Sequence, residues 1–452
     1  MFSRKFLNRL TRVLFALPLL MVFTSSVFFA ETSAAEEKER KYDDVKTKQR
    51  QAVGAKCAKK LESVQEVLGA DTEPSNQQLS KIANDLRSYI DTSCTSSYEK
   101  SQVWNMAAYS YYSLERYPEA INAYKKAIAE PEADERQKVS IRYTIAQLYM
   151  VQEDYGNAVK QLEQWMKEAT IVSSDGKILL AQAYYQLGRK NDSLKLVNAV
   201  IADSEAKSIT PKEGWWGLQR VLYYEKKDYK QVVNILKKLV THYPRMSYWK
   251  QLGGMYAELE QDMNQLVSYD LVFLQKGLSK ERQLMSLAYM YLGAEVPYRA
   301  AKIIEDGMKA GIIEETGKNL EVLGSAWQAA QDSKRAAGPL ERAAKLSGEG
   351  KIWSRLAGVY LDSNKNKAAV RAARNALKKG GLKRPDMTQM TLGSALVNLH
   401  CYDDAVKAFK EAKKHKKSEK AAGQWIKYAT SEGSRRAKLI ESGAKIAGCK
   451  KV

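Results

Sequence analysis

The sequence predicts an all-α protein, an α-solenoid of about nine helix pairs with a helical cap at each end. One equivalent position, mostly filled by a small residue, recurs at intervals of 33 to 39 residues. Within each repeat, small and large residues follow the spacing that closely packed antiparallel helices require. The two ends of such a stack expose apolar surface and need covers. The recurring positions are Ala120, Ala158, Ser193, Val232, Gln265, Ala300, Ala336, Ala369 and Ala405.

Residues 1–34 predict an export signal. Residues 1–12 carry four basic residues and no acidic one, and an apolar run over residues 13–30 follows directly. The small residues after this run allow removal of the signal, whereas a retained anchor is the alternative, because 18 apolar residues just span a bilayer. Either way the remaining chain is expected outside the cytoplasm, which in a Gram-negative cell is the periplasm.

Residues 35–56 predict a charged spacer, and residues 57–100 predict an N-terminal cap of two helices. All four cysteines lie beyond the signal, and their even number suits an oxidising compartment. Choosing the partners that are local in sequence predicts two disulfides, Cys57 with Cys94 and Cys401 with Cys449. Four buried or free thiols are the alternative.

The first repeat begins at Ser101 and shows the internal spacing best. Its residues at positions 4, 7, 8, 11, 20, 24, 27 and 31 are Trp104, Ala107, Ala108, Tyr111, Ala120, Tyr124, Ala127 and Pro131. This pattern resembles the tetratricopeptide repeat. Nine copies over residues 101–418 imply a right-handed solenoid with a concave groove, a binding architecture without chemistry of its own. Arg220 at position 8 and Gln265 at position 20 depart from the pattern, so looser packing is expected in repeats four and five.

The resemblance implies that positions 2, 5, 9 and 12 of each first helix line the groove. Three tyrosine pairs, at 111–112, 184–185 and 223–224, then place one ring in the core and one in the groove. Amides and tyrosines suit the backbone of a bound peptide. The alternative is that a tyrosine-rich helical chain places some tyrosines there regardless. The candidate groove residues are Gln102, Asn105, Tyr109, Tyr112, Tyr143, Gln147, Gln182, Tyr185 and Tyr224.

Basic residues concentrate at the end of the chain, which includes a C-terminal helical cap over residues 419–452. Residues 351–452 hold 24 Lys and Arg against 8 Asp and Glu. Outside the cytoplasm this charge favours acidic proteins or an anionic envelope surface over nucleic acid. A solubilising face on terminal helices is the alternative. The candidate basic patch is Lys378, Lys379, Lys383, Arg384, Lys413, Lys414, Lys416 and Lys417.

The sequence predicts no enzymatic activity, no metal, no cofactor and no small-molecule substrate. The three histidines, His242, His400 and His415, share no spacing that suits a metal or supports a nucleophile. The G-x-S-x-G, Walker A and HExxH motifs do not occur.

In length and organisation the chain is similar to the periplasmic tetratricopeptide-repeat components that accompany TonB-type energy transducers. That similarity implies a scaffold that works with TonB, ExbB and ExbD proteins in iron and siderophore uptake. One alternative is a scaffold that binds an envelope polymer or a membrane surface through its basic quarter. Another is an adaptor for outer-membrane assembly.

Overall fold

A computed structural model describes residues 52–70 and 74–449 of the chain. These residues form 21 α-helices and no β-strand. None of these helices is both long enough and apolar enough to cross a bilayer. The predicted export signal and the predicted spacer as far as residue 51 lie outside the described residues.

The described helices follow one another as antiparallel pairs, and each helix packs mainly against its neighbours in sequence. Helices α1 (Ala55–Leu68) and α2 (Asn76–Thr92) precede nine pairs, and α21 (Glu419–Glu441) follows them. This arrangement confirms the predicted fold class. The nine pairs are α3 (Ser97–Ser113) and α4 (Tyr117–Ala129), α5 (Glu135–Val151) and α6 (Tyr155–Glu168), α7 (Ser174–Gln186) and α8 (Lys190–Ala206), α9 (Glu213–Glu225) and α10 (Tyr229–His242), α11 (Met246–Glu258) and α12 (Asp262–Leu274), α13 (Glu281–Gly293) and α14 (Pro297–Lys309), α15 (Gly317–Ala329) and α16 (Ser333–Ser347), α17 (Gly350–Asp362) and α18 (Asn366–Lys379), and α19 (Pro385–Asn398) and α20 (Tyr402–Lys413).

The turn between the two helices of a repeat has the same construction nine times. In the first repeat Glu115 is left-handed, with φ 57°. The Arg116 N–H donates to the Tyr111 carbonyl at 2.9 Å, and the Glu115 N–H donates to the Tyr112 carbonyl at 2.9 Å. This pair of bonds is a Schellman motif. The left-handed residues of the nine turns are Glu115, Glu153, Gly188, Lys227, Glu260, Glu295, Gln331, Asn364 and His400.

Small residues at position 8 set the distance between the two helices of a repeat. An added Cβ on Gly393 would lie 2.4 Å from a ring carbon of Phe409, and one on Gly324 would lie 2.4 Å from Leu340 Cγ. Alanine fills most other copies of this position and is fully buried there. A large side chain at position 24 therefore packs directly against the backbone of the first helix.

The apolar core of the described residues falls into four clusters, and one boundary lies within the fifth repeat, between Tyr256 and Leu266. At this point Gln265 stands where the pattern asks for a small residue. The two helices of this repeat, α11 and α12, nevertheless pack as extensively as α5 and α6 do in the second repeat. The looser packing expected from the sequence is present in the fourth repeat, between α9 and α10, and absent from the fifth.

The two ends of the solenoid are tied to their neighbours by disulfides. Cys57 is bonded to Cys94, and Cys401 is bonded to Cys449. These are the two pairs that the sequence predicts. A buried carboxylate adds to the first tie, because Glu99 accepts hydrogen bonds from the N–H groups of Gly54 and Ser96 at 2.8 and 3.0 Å.

Two glycine-to-alanine substitutions are expected to change stability in opposite directions. Gly393→Ala should lower the free energy of unfolding by about 1 to 2 kcal/mol, because its methyl group would enter the space of the buried Phe409 ring. Gly358→Ala should raise it by up to about 1 kcal/mol, because alanine favours a helix and its Cβ would meet no atom within 4 Å. Urea unfolding followed by circular dichroism measures both. If both substitutions changed the free energy of unfolding equally and in the same direction, position 8 would have no special need for a small residue.

Candidate functional site

The first helices of successive repeats lie side by side and are joined by polar contacts. Gln102 Nε2 donates to Gln137 Oε1 at 2.7 Å, which joins α3 to α5. Tyr185 Oη donates to Glu225 Oε1 at 2.8 Å, which joins α7 to α9. The hydroxyls of Ser354 and Thr388 join α17 to α19 at 2.7 Å. We call the surface formed by positions 2, 5, 9 and 12 of these first helices the inner wall.

Three of the predicted groove amides on the inner wall have no hydrogen-bonding partner among the described residues. They belong to Asn105 on α3, Gln147 on α5 and Gln182 on α7, and all three side chains are half-buried. Gln102 differs, since its amide bonds to Gln137. One free amide therefore lies on each of three adjacent helices, where it can bracket the backbone of a bound segment.

The predicted groove tyrosines form more contacts with other side chains of the protein than the sequence suggested. The ring of Tyr112 lies 6.2 Å from that of Tyr117, and Tyr143 lies 4.9 Å from the buried Trp165. Burial raises the pKa of Tyr185, and the hydrogen bond to Glu225 raises it further.

Tyr109 is half-buried and Tyr224 is 45% exposed, so Tyr224 offers the most open ring of the predicted set. Tyrosine therefore contributes mainly rigid packing along the wall, and the free amides are its open polar groups.

The first tyrosine of each pair belongs to the helix packing, as the resemblance implies. Tyr111 is buried in the core. Tyr184 Oη donates to Glu163 Oε1 at 2.7 Å, and burial followed by this bond raises the pKa of Tyr184 to about 12. Tyr223 Oη accepts from Asn198 Nδ2 at 3.0 Å. Position 11 thus joins each first helix to its neighbouring second helices.

Three helix-interior glycines leave the backbone of the inner wall bare. An added Cβ on Gly217, Gly254 or Gly358 would meet no atom within 4 Å. Each glycine lowers helix stability by about 1 kcal/mol relative to alanine. No packing contact within the described residues requires them, in contrast to Gly393. Their place at positions 5 and 9 of the repeat was readable in the sequence, although their open surroundings were not.

Arg220 places a half-buried cation next to this part of the wall. It stands on α9 at position 8 and donates from Nη1 to Gln251 on α11, whereas its buried Nε has no hydrogen-bond partner. Burial lowers the pKa of Arg220, and none of the carboxylates in the described part of the chain pairs with it. The nearby Glu213 already binds Tyr248 and Arg245. A half-buried guanidinium without a carboxylate is unfavourable unless an acceptor from elsewhere reaches it.

The structure places the predicted basic residues in the last turns of α18 and α20 and in the loops that follow these helices. The side chain of Asp386, which is 2% exposed, accepts hydrogen bonds from Ser418 Oγ at 2.5 Å and from Arg384 Nη2 at 2.6 Å. It thereby links the α18–α19 loop to the α20–α21 loop. We call this surface the basic edge. Its members are Lys378, Lys379, Lys383, Arg384, Lys413, Lys414, Lys416 and Lys417.

A comparison with family models finds one match: residues 105–170 match the tetratricopeptide repeat. No curated protein matches the chain. The match supports the tetratricopeptide-repeat interpretation of these residues, and the described helix pairs continue the same architecture on both sides of them.

Several solved structures are similar to parts of the chain. A tetratricopeptide-repeat protein from Parabacteroides merdae is 13% identical, with 55% of this chain and 93% of that chain covered and a TM-score of 0.35. MamA from Desulfovibrio magneticus is 15% identical, with coverages of 39% and 95% and a TM-score of 0.33. YrrB, a tetratricopeptide-repeat protein with an unusual peptide-binding site, is 14% identical, with coverages of 42% and 90% and a TM-score of 0.33. These likenesses are too distant to carry a function.

Asp386→Asn is expected to destabilise the last repeats in a pH-dependent way. The hydrogen bond from Arg384 lowers the pKa of Asp386 far below its usual range, against the effect of burial, and Ser418 lowers it further. A carboxylate with a lowered pKa stabilises the fold above its unfolded pKa of about 4, and this contribution declines as the pH falls below that value. The urea midpoint of the variant should therefore lie below that of the native chain at pH 7, by a margin that narrows at pH 3.

The exposed Asp404 provides the control, since it pairs only with Lys407 of its own helix. Asp404→Asn should leave the midpoint nearly unchanged at both pH values. A loss in Asp386→Asn that is equally large at pH 3 and pH 7 would show that its charge does not hold the two loops together.

Proposed function

We propose that the chain is an exported, non-catalytic scaffold that binds a segment of a protein partner along its inner wall. The observation that carries this proposal is the set of wall groups that the described residues leave unused. The free amides of α3, α5 and α7 can pair with the backbone of a bound segment. The open glycines of α9 and α11 allow that backbone to approach closely.

The middle of the wall further defines the partner. Arg220 lies one helical turn from Gly217, and Gln251 lies one turn from Gly254. A partner carboxylate at this place would pair with the terminal nitrogens of the half-buried guanidinium, beside Gln251. The bound segment is therefore expected to carry an acidic side chain where it crosses from α9 to α11.

The finer proposal is an accessory role in a TonB-type energy transduction complex in the periplasm. It is supported by the export signal predicted for residues 1–34, the array of nine helix pairs, and the basic last quarter. In this role the wall would hold TonB, ExbB or ExbD-type proteins during iron and siderophore uptake. The scaffold would act through shape and charge.

Capture of partners from native membranes tests this assignment. The tagged chain is recovered in mild detergent, and the retained proteins are identified by mass spectrometry. We expect a TonB-type transducer together with ExbB and ExbD. Recovery of outer-membrane assembly proteins in their place would contradict the energy-transduction role. It would still agree with partner binding along the inner wall.

A substitution that fills the wall is expected to abolish capture without unfolding the chain. In Gly254→Leu the new side chain would occupy the open space above α11, so recovery of partners should fall at least about tenfold. The helix should remain intact, because leucine favours a helix more than glycine does. Capture and circular dichroism measure the two effects.

The matched control is Gly156→Leu on the second helix α6, where the nearest atom to an added Cβ is 3.9 Å away. This variant should retain its partners. Undiminished capture by Gly254→Leu would mean that the inner wall does not bind them.

A further inference from the structure

We propose that the basic edge docks the C-terminal end of the solenoid on an anionic phospholipid bilayer. This inference concerns a different surface from the inner wall and does not rest on a partner bound there. It depends on three features: the joining of two lysine-rich loops, the lack of neutralising acids, and exposed apolar side chains beside them.

The buried carboxylate of Asp386 joins the two loops into one surface. It bonds to Arg384 of the first loop and to Ser418 at the end of the second. The lysines on either side of these residues are all exposed. Eight basic residues therefore lie along one edge, although up to 39 positions separate them in the sequence.

Acidic side chains leave most of this charge unneutralised. Arg384 is paired with Asp386, and Lys414 is paired with Glu411 at 2.7 Å. The other six side chains of the basic edge form no ion pair with a described residue. Lys420 and Lys427 on α21 add two exposed cations that are likewise unpaired within the described chain. Each lysine close to an anionic membrane strengthens binding by about fivefold.

The chemistry of the edge favours a lipid surface over a specific acidic protein. Lysines act as mobile point charges, whereas arginine recognises a single carboxylate or phosphate through two parallel hydrogen bonds. The one arginine of the edge already forms such a pair with Asp386. The remaining lysines are therefore attracted to a surface with a high density of negative charge, such as the headgroups of an anionic bilayer.

Apolar side chains with a membrane-interface character lie beside the lysines. Trp425 is 38% exposed and stacks on the buried Phe409, with ring centroids 5.5 Å apart. Tyr428 is 52% exposed and packs edge-on against Trp425 at 5.7 Å. Tryptophan and tyrosine prefer the boundary between headgroups and acyl chains.

Vesicle sedimentation tests the proposal. The protein is the chain purified from cells that export it. Sucrose-loaded vesicles of phosphatidylcholine with 30% phosphatidylglycerol, roughly a bacterial anionic content, are compared with pure phosphatidylcholine. The neutral vesicles give the baseline, including any binding through the apolar run at residues 13–30. We expect at least tenfold stronger partitioning into the anionic vesicles, weakened by added salt.

Two variants with equal change in net charge separate the edge from bulk charge. The edge variant, Lys413→Gln, Lys414→Gln, Lys416→Gln and Lys417→Gln, should lose at least tenfold in partitioning. The control variant should keep its partitioning within about twofold. It replaces four exposed lysines of second helices, none of them paired with a described residue: Lys160→Gln, Lys195→Gln, Lys230→Gln and Lys237→Gln. Equal losses in both variants would overturn the proposal, since net charge alone would then explain the binding.

Fluorescence separates a bilayer from a soluble polyanion. Brominated lipids should quench the native chain more than Trp425→Phe, because the Trp425 ring would lie at the interface. Soluble polyphosphate that binds the edge as tightly as vesicles do, with no such difference in quenching, would overturn the lipid assignment in favour of a polymer.

Discussion

The close approach of the two helices within each repeat is the constraint on which the rest of the structure depends. A large side chain at position 24, such as Phe409, packs against a backbone that carries only alanine or glycine at position 8. Because this contact fixes each pair, successive pairs can stack with their first helices side by side. The inner wall exists only as a consequence of that stacking. Where position 8 holds Arg220, a half-buried charge takes the place of the small residue.

The turn that joins the two helices of each repeat explains the recurring geometry of the paired tyrosines. Eight of the nine turns put a residue other than glycine in the left-handed region, which costs about 1 to 2 kcal/mol for each. The two hydrogen bonds of the turn offset that strain. The carbonyl that accepts the bond from five residues further along the chain belongs to position 11, as Tyr111 and Tyr184 show. The following Arg116 and Arg189 lie over these rings at 5.0 and 4.1 Å. The ring at position 11 thus stabilises the turn as well as the helix interface.

The sequence predicted the parts of the fold that local spacing records. Small residues at fixed intervals revealed the nine pairs, and nearness in sequence revealed both disulfides. It did not reveal the left-handed turns, because residues such as Glu153 carry no sign of that conformation. The bond between Asp386 and Ser418 joins residues 32 positions apart, so no local pattern contains it. For the inner wall, the sequence indicated the positions, whereas only the structure distinguishes the engaged Gln102 from the free Asn105.

The central repeats combine several departures from good packing. Gly217 and Gly254 each weaken a helix, Arg220 is half-buried without a carboxylate, and Gln265 occupies a position that the pattern gives to a small residue. A chain selected for stability alone would place alanine at all four positions. Several residues that weaken packing or helix stability in one region, with no internal contact to compensate, are typical of a functional surface. Since three of the four departures lie on α9 and α11, the stability lost there is best explained by a partner that crosses the wall between these two helices.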